Sequence, residues 1–323
     1  MAPLYGQSLE RYRFSHPQMG TQFNIVLYAP DSVLAHRAAS AAFSRIDTLN
    51  QHLSDYLSNS ELSRLSATSG SGLDVPVSDD LWTVLSSAQQ LAQETGGAFD
   101  VTVGPLTRLW RWARRRNQRP PEADLEQARR TVGYRHLVLD SMAQTVRLAV
   151  PGMRLDVGGI AKGFAVDEAL TVLQSFGLVC ALVDGGGDIR VGEPPPGEGG
   201  WRIELSTVDA AGHLVQEERV LARSAIATSG DTYRFLEVDG TRFSHILDPR
   251  TGMGLKHGSL VTVIAPTGIQ ADALASAVSV LGYGEGTVLV ARYPKVAFRV
   301  IHRDQDRHRR FQSRSFDSLA VSF

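Results

Sequence analysis

The sequence predicts an α+β fold, on three observations. Strand-like and helix-like stretches follow one another irregularly rather than in a regular strand–helix–strand rhythm. No internal repeat stands out. The glycines, 30 in 323 residues, gather in short clusters beside periodic segments rather than in one linker.

Taken in order, Tyr12 to Ala29 reads as strand, with a turn at His16-Pro17 and a run of β-formers from Phe23 to Tyr28. Ser32 to Leu53 carries Ala35, Ala38, Ala39, Ala42, Phe43, Ile46 and Leu49 at helical spacing, which predicts an amphipathic helix. A second helix runs from about Asp79 to Glu94 and stops at Gly96-Gly97. Ala98 to Pro105 is a strand or turn leading into a helix. The five arginines between Arg111 and Arg119, ending at Pro120-Pro121, read as a solvated helix end and loop. Glu122 to Arg130 is a short helix. His136–Leu139, Thr145–Val150 and Arg154–Val157 read as strands, and Ile160 to Phe176 as a helix with an apolar stripe. Val179–Val183, Trp201–Leu205, Leu214–Leu221, Ala225–Thr228, Phe235–Val238, Arg242–Leu247 and Leu260–Ala265 are further strands. Helices follow over Gly268–Leu281 and Gly284–Ala291, with a late strand at Val296–Ile301. Pro194 to Gly200 sits between strands and reads as a hairpin loop rather than a domain boundary.

Composition narrows the function classes. Lys+Arg is 33 against 34 for Asp+Glu, a net charge of −1, so nothing points to nucleic acid or an anionic membrane as a main partner. No apolar run approaches the roughly 18–20 residues of a membrane span. The single cysteine, Cys180, excludes an internal disulfide and a Cys-rich metal site; lying in a strand, it reads as a small apolar residue. Met1 to Gln18 has no basic region followed by an apolar one and does not read as a signal peptide.

Four segments are too glycine-rich and polar to be ordinary core. Leu155 to Gly163 (LDVGGIAKG) passes from strand through a Gly-rich turn into a helix N-terminus, where backbone N–H groups and the helix dipole favour an anion. It lacks the Gly-Lys-Ser/Thr of a Walker A loop and the spacing of a dinucleotide fingerprint, and by itself it is as well read as a tight turn. Asp184-Gly185-Gly186-Gly187-Asp188 is either a close approach to a ligand or a hairpin turn. Ala227-Thr228-Ser229-Gly230-Asp231 precedes Ser244-His245-Ile246-Leu247-Asp248-Pro249-Arg250-Thr251-Gly252, where the histidine is either a base near a site or structural. In Ala271 to Ser276, Asp272 and Ser276 stand i and i+4 on one helix face. Their oxygens suit Mg²⁺, or else they are a dipole-favoured acid and a small packing residue.

Together these segments resemble the ApbE family of FAD:protein FMN transferases, from about Phe14 to Phe323. The resemblance includes His16-Pro17-Gln18-Met19-Gly20-Thr21, Ser54-Asp55-Tyr56, Ser60 to Leu65, Thr95 to Leu106, LDVGGIAKG, Asp184–Asp188, TSGD, HILDPRTG and ADALAS. It departs at Thr232, where the family's tyrosine comes one place later as Tyr233, at Ser276, where threonine is common, and at Gly254, where proline is usual.

The resemblance implies a single ApbE-like (T-fold-like) α+β domain over 12–323 after a short extension, 1–11, with mixed sheets, packed helices and an FAD cleft formed by Gly-rich loops. It implies a Mg²⁺-dependent enzyme that splits FAD, places FMN on a Thr hydroxyl of an acceptor flavoprotein and releases AMP. Met19, Tyr56, Ala98, Phe99 and Asp100 would line the isoalloxazine and ribityl part of FAD, and Asp156, Lys162 and Leu247 the rest. Asp272, Ser276 and backbone oxygen at Gly159 or Ala275 would hold the metal, and His245 would be the catalytic base. The rivals are an FAD pyrophosphatase giving FMN and AMP, and a non-catalytic FAD-binding protein. The chain is expected to act as monomer or homodimer. Many members are exported and lipid-anchored, so the bacterial periplasm, the inner membrane and the cytoplasm all stay open.

Overall fold

The computed structural model describes residues 8–230, 235–256, 258–304 and 307–318. The chain opens with a hairpin, β1 (Glu10–Gln18) and β2 (Thr21–Ala29), whose two-residue turn is Met19-Gly20, with φ of 47° and 75°. The turn expected at His16-Pro17 is therefore displaced. Pro17 sits within β1, the sheet edge, where its missing N–H leaves no inner ladder unpaired.

Next come α1 (Ser32–Leu53), α2 (Glu61–Ala67), β3 (Val75–Pro76) and α3 (Asp79–Glu94). Asp31, Ser60 and Ser78 cap the three helices, each side chain accepting the N–H three residues on. The seven-residue α2 was not anticipated, being too short for periodicity to reveal. The chain continues with α4 (Gly104–Arg116), α5 (Glu122–Arg129), β4 (Leu137–Asp140), β5 (Thr145–Leu148), α6 (Ala161–Ser175), β6 (Ala181–Gly185) and β7 (Ile189–Val191). Arg154–Val157, expected as a strand, is an extended loop with one bridge, from Arg154 to Val103. Then follow β8 (Trp201–Val208), β9 (Leu214–Leu221), β10 (Ala225–Gly230), β11 (Phe235–Val238), β12 (Thr241–Ser244), β13 (Leu247–Asp248), β14 (Met253–Gly254) and β15 (Ser259–Ala265). The run Arg242–Leu247 is thus two strands broken by a corner at His245-Ile246. The chain closes with α7 (Gly268–Val290), β16 (Ala297–Asp304) and β17 (Arg307–Gln312). α7 is two helical pieces merged at Gly282, whose φ of 73° kinks it, as the split at Gly282–Tyr283 anticipates.

An eight-stranded antiparallel sheet, in the order β1-β2-β6-β7-β10-β15-β16-β17, organises the molecule. Its side chains alternate between two cores, as a period of two requires. Phe23, Ile25, Leu27, Ala225, Ala227, Val261 and Val263 join α1, α6 and α7 in the main core. Val26, Val191, Ile226 and Ile264 face the other way, onto Trp201, Ile203, Leu205 and Leu221 of the β8–β9 hairpin. Pro194–Gly200 accordingly leads from this sheet into a separate one and is no hairpin loop. A third cluster joins Leu106, Trp110 and Ala113 of α4 and Leu125 and Ala128 of α5 to Leu236, Phe243 and Leu247.

α7 has the length and mean hydropathy (1.4) of a bilayer-crossing helix. In the fold, Ala271, Leu274, Ala275 and Val278 are buried against the sheet, which accounts for that apolar character.

α6 and α7 meet at two glycines. A Cβ on Gly163 would collide with the Gly268 carbonyl oxygen and lie 2.7 Å from Asp272 Cβ. Asp167 of α6 accepts the Gly268 and Ile269 N–H groups at 2.7 and 2.9 Å and so caps α7 in place of the N-cap Thr267, whose side chain makes no cap. We expect Gly163→Ala to lose about 1–3 kcal/mol of stability in urea unfolding, as overpacked sites do. Gly284→Ala has open space around it and no positive φ, so it serves as the neutral control. Equal stability of the two variants would show that the helices separate without cost.

Candidate active site

One end of the main sheet gathers three turns and the start of α7. The Met19-Gly20 turn lies beside the β6–β7 turn, because a Cβ on Gly186 would strike Thr21 Oγ1. That β6–β7 turn is the Asp184–Asp188 segment. It is a hairpin, with Gly186 and Gly187 at φ of 73° and 98°, Gly185 N–H bonded to the Asp188 carbonyl at 2.8 Å, and Asp184 Oδ1 accepting Gly187 N–H at 2.9 Å. Its close approach is to the chain itself, where only glycine fits. Met19, half-buried, packs against the main core.

The LDVGGIAKG turn and the start of α7 complete this end. Gly163 N–H, in the first turn of α6, donates to Asp272 Oδ2 at 3.0 Å. The anion at this helix N-terminus is therefore the chain's own carboxylate. Lys162 is ion-paired to Asp188, and Asp188 and Asp272 are only 3% and 5% exposed. Asp188 is pushed up to about 7 by burial, reinforced by Asp272 and opposed by Lys162. Asp272 is raised as well, chiefly by burial, against the pull of Lys162 and the α6 N–H groups. Two buried carboxylates thus share one ammonium. Gly159 lies against Ser276, since its Cβ would sit 2.8 Å from Ser276 Oγ, and Phe99 Cε2 would be 3.4 Å away. The Ala275 carbonyl already accepts the Ser279 hydroxyl at 2.8 Å.

These charges carry a pH dependence. The unfolded chain ionises Asp188 near 3.8 and the folded chain near 7, so folding favours the protonated form. Asp188's contribution to stability is present at low pH and lost as pH rises from about 4 to 7. In EDTA, the parent protein should lose more stability between pH 5 and 8 than Asp188→Asn does. Parallel pH profiles would contradict the burial argument.

A second group forms the neighbouring wall. Asp156 Oδ1 accepts Gly158 N–H at 2.9 Å, and its Oδ2 accepts Thr107 Oγ1 and Arg111 Nη2, both at 2.8 Å. Arg111 also pairs with Asp55, and its guanidinium carbon lies 4.3 Å from the Tyr56 ring centroid. Burial raises Asp55, Asp156 adds to the rise, and Arg111 counteracts both. The arginine run is therefore not wholly solvated: α4 turns Arg111 inward, while Arg115 and Arg116 face solvent. α4 starts against the loop, with Gly104 N–H on the Arg154 carbonyl at 3.2 Å. Ala98 and Phe99 are buried nearby in sequence. Asp100 is committed internally: Oδ1 accepts Thr102 N–H and Oγ1, and Oδ2 accepts Tyr134 N–H.

His245 and Leu247 form a third group. Trp110 Nε1 donates to the Gly252 carbonyl at 2.8 Å, which docks the HILDPRTG segment on α4. Gly97 also approaches Arg250 of that segment. His245 is half-buried at the β12–β13 corner. Leu247 buries its side chain in the α4–α5 cluster, pairing with Gly254 in the two-residue ladder. Thr228 bonds Thr262 across β10 and β15 at 3.1 Å; Asp231, Thr232 and Tyr233 lie outside the described residues.

Sequence reasoning did not assign Asp188, Asp55, Thr107 or Arg111. Asp188 and Asp55 stood inside quoted motifs, but nothing local distinguished their carboxylates. Among the described residues no cluster of three His, Cys, Asp or Glu has metal-site geometry. The oxygen donors here are two aspartates, a serine and backbone.

Comparison with known proteins shows which family the chain resembles. The ApbE family model matches residues 19–300. The Vibrio cholerae protein named FAD:protein FMN transferase is 33% identical over 311 residues, covering 95% of this chain and 92% of its own. The Escherichia coli K12 protein of the same name is 29% identical, covering 94% and 88%. The solved flavin transferase ApbE from Vibrio cholerae superposes with a TM-score of 0.85 at 31% identity, covering 96% of this chain and 99% of that one. The apo Pseudomonas stutzeri flavinyl transferase ApbE gives 0.86 at 29%, covering 98% of each.

Proposed function

The chain belongs to the ApbE family, and from that premise we propose that it is a Mg²⁺-dependent FAD:protein FMN transferase acting on a Thr hydroxyl of an acceptor flavoprotein. It is a transferase of flavin. The finer reading is supported above all by one observation: Asp188 and Asp272 are buried together against Lys162 at the α6 N-terminus. A protein that merely stores flavin has no need of paired buried carboxylates.

The donor set fits the metal. Two carboxylates raised by burial stand against one ammonium, a site where a divalent cation would favour their ionised forms, and Ser276 and Gly159 stand in contact beside them. All are oxygen donors, as a hard divalent cation prefers. Mg²⁺ held by Asp272, Ser276 and backbone oxygen at Gly159 or Ala275 would neutralise charge on the FAD pyrophosphate oxygens and on the departing AMP.

The chain's own residues do the rest. Met19 and Tyr56 would present an apolar and an aromatic wall to a flavin, with Ala98 and Phe99 contributing from buried positions. Asp156 and Asp100 hold the turns that shape the cleft, and Lys162 adds charge at its phosphate end. Leu247 anchors the strand beside His245, its contact with FAD being through this corner. In the reaction the acceptor Thr oxygen bonds to the FMN phosphorus as the pyrophosphate P–O bond breaks. AMP takes the bond's electron pair, and His245 receives the Thr proton.

The test incubates the protein with FAD, Mg²⁺ and a Thr-containing acceptor flavoprotein domain, followed by mass spectrometry. The expected result is an acceptor mass gain of one FMN unit, abolished by EDTA. FMN and AMP accumulating without that gain would mark a pyrophosphatase, and intact FAD at every acceptor tried would leave a binding protein.

A further inference from the structure

The wall formed by α4 holds a side chain that the transfer reaction has not used. Arg111 spans two carboxylates from separate loops, Asp55 and Asp156, and its guanidinium also lies over the Tyr56 ring at 4.3 Å. Tyr56 is 77% exposed, one of the most exposed large hydrophobic side chains among the described residues. Its backbone is fixed, because Ser54 Oγ accepts the Tyr56 and Leu57 N–H groups at 3.2 Å and Arg154 Nη2 donates to the Asp55 carbonyl at 3.2 Å. Its ring is not enclosed, and the Arg111 guanidinium lies over one face.

We infer that Arg111 is a positioning residue for FAD binding: it holds the exposed Tyr56 ring as a stacking platform and locks the Asp55 and Asp156 loops beneath it. The inference rests on the reading of Tyr56 as an FAD contact.

Three features carry it. A ring lying exposed in water samples several rotamers, and a cation against one face biases it toward one. Its other face then stays open to a flat heteroaromatic ligand, which stacks on any π-surface presented to it. Only a planar guanidinium can bridge two carboxylates and offer a flat face to a ring at once; a lysine ammonium is a point charge. Burial of Asp55 and the nearness of Asp156 make the pair costly without that bridge, and Thr107 Oγ1 on Asp156 shows the same wall braced from α4.

The test compares Arg111→Lys, Tyr56→Ala and the double variant, with FAD affinity read by quenching of flavin fluorescence and kcat taken at saturating FAD. Each single variant should weaken FAD binding about tenfold, the scale of one lost stacking contact, with kcat falling by less than affinity does. The double variant should bind FAD no more weakly than Tyr56→Ala alone. Losses that multiply in the double variant would overturn the inference, as would parent-like affinity and quenching in Arg111→Lys. Thermal melts accompany each variant. If Arg111→Lys fails to fold, Arg111→Gln with the same Tyr56→Ala cycle decides the matter. A parent protein that binds no FAD would sink the proposed function itself, a result separate from a parent that binds FAD while Arg111→Lys binds it equally.

Discussion

His245→Ala binds FAD as the parent does and transfers FMN about 10²–10⁴-fold more slowly, the range a positioned general base contributes. The expectation follows from how the corner is built. Ser244 N–H bonds the Leu255 carbonyl at 2.8 Å, Leu255 N–H bonds the Ile246 carbonyl at 3.0 Å, and Ile246 N–H bonds Ser244 Oγ at 3.0 Å. Leu247 pins the next residue into the α4–α5 core. The backbone on both sides is therefore held without the imidazole, and its removal leaves the corner in place. Fluorescence titration should give an unchanged FAD affinity, and single-turnover mass spectrometry of the acceptor should give the loss in rate. Transfer by His245→Ala at the parent's rate would take the histidine out of the chemistry.

Asp272→Asn should fold and lose turnover by at least about 10²-fold at matched Mg²⁺, as loss of several kcal/mol of charge stabilisation implies. Asparagine keeps an oxygen to accept the Gly163 N–H, so the α6–α7 contact survives while the charge is gone. Half-maximal activity should also move to higher Mg²⁺. A variant as active as the parent across the Mg²⁺ titration would remove Asp272 from the metal site. A variant whose melting temperature collapses would instead show that its role is to cap α6.

The two substitutions probe different kinds of knowledge. His245 and Asp272 were singled out through the family resemblance that HILDPRTG and ADALAS help to carry; each segment by itself left a structural reading open, and their roles belong to the proposal. The helices Ser32–Leu53 and Asp79–Glu94 were legible for another reason: a stripe at 3.6 spacing needs no partner to be recognised. The strands of the main sheet were legible as runs of β-formers such as Phe23 to Tyr28, but which residues face which core shows only once the helices and the β8–β9 hairpin cover the two faces. Short pieces fared worse. The seven residues of α2 and the broken corner at His245-Ile246 offer too few repeats for a period to show.

The local pattern of residues thus determined the α+β class, most helices and strands, the Gly-rich turns and the family to which those turns belong. Tertiary structure alone decided which charges meet. Arg111 stands 45 residues from Asp156 and 56 from Asp55, and Lys162 stands 26 from Asp188. Its run of arginines looks solvated because helical amphipathicity describes only the helix, and two carboxylates on other loops turn one member inward. The Gly-rich turn likewise looks open to an outside anion until α7 delivers Asp272 to it. A charge's burial is set by what lies across from it, and across the chain that is fixed by packing.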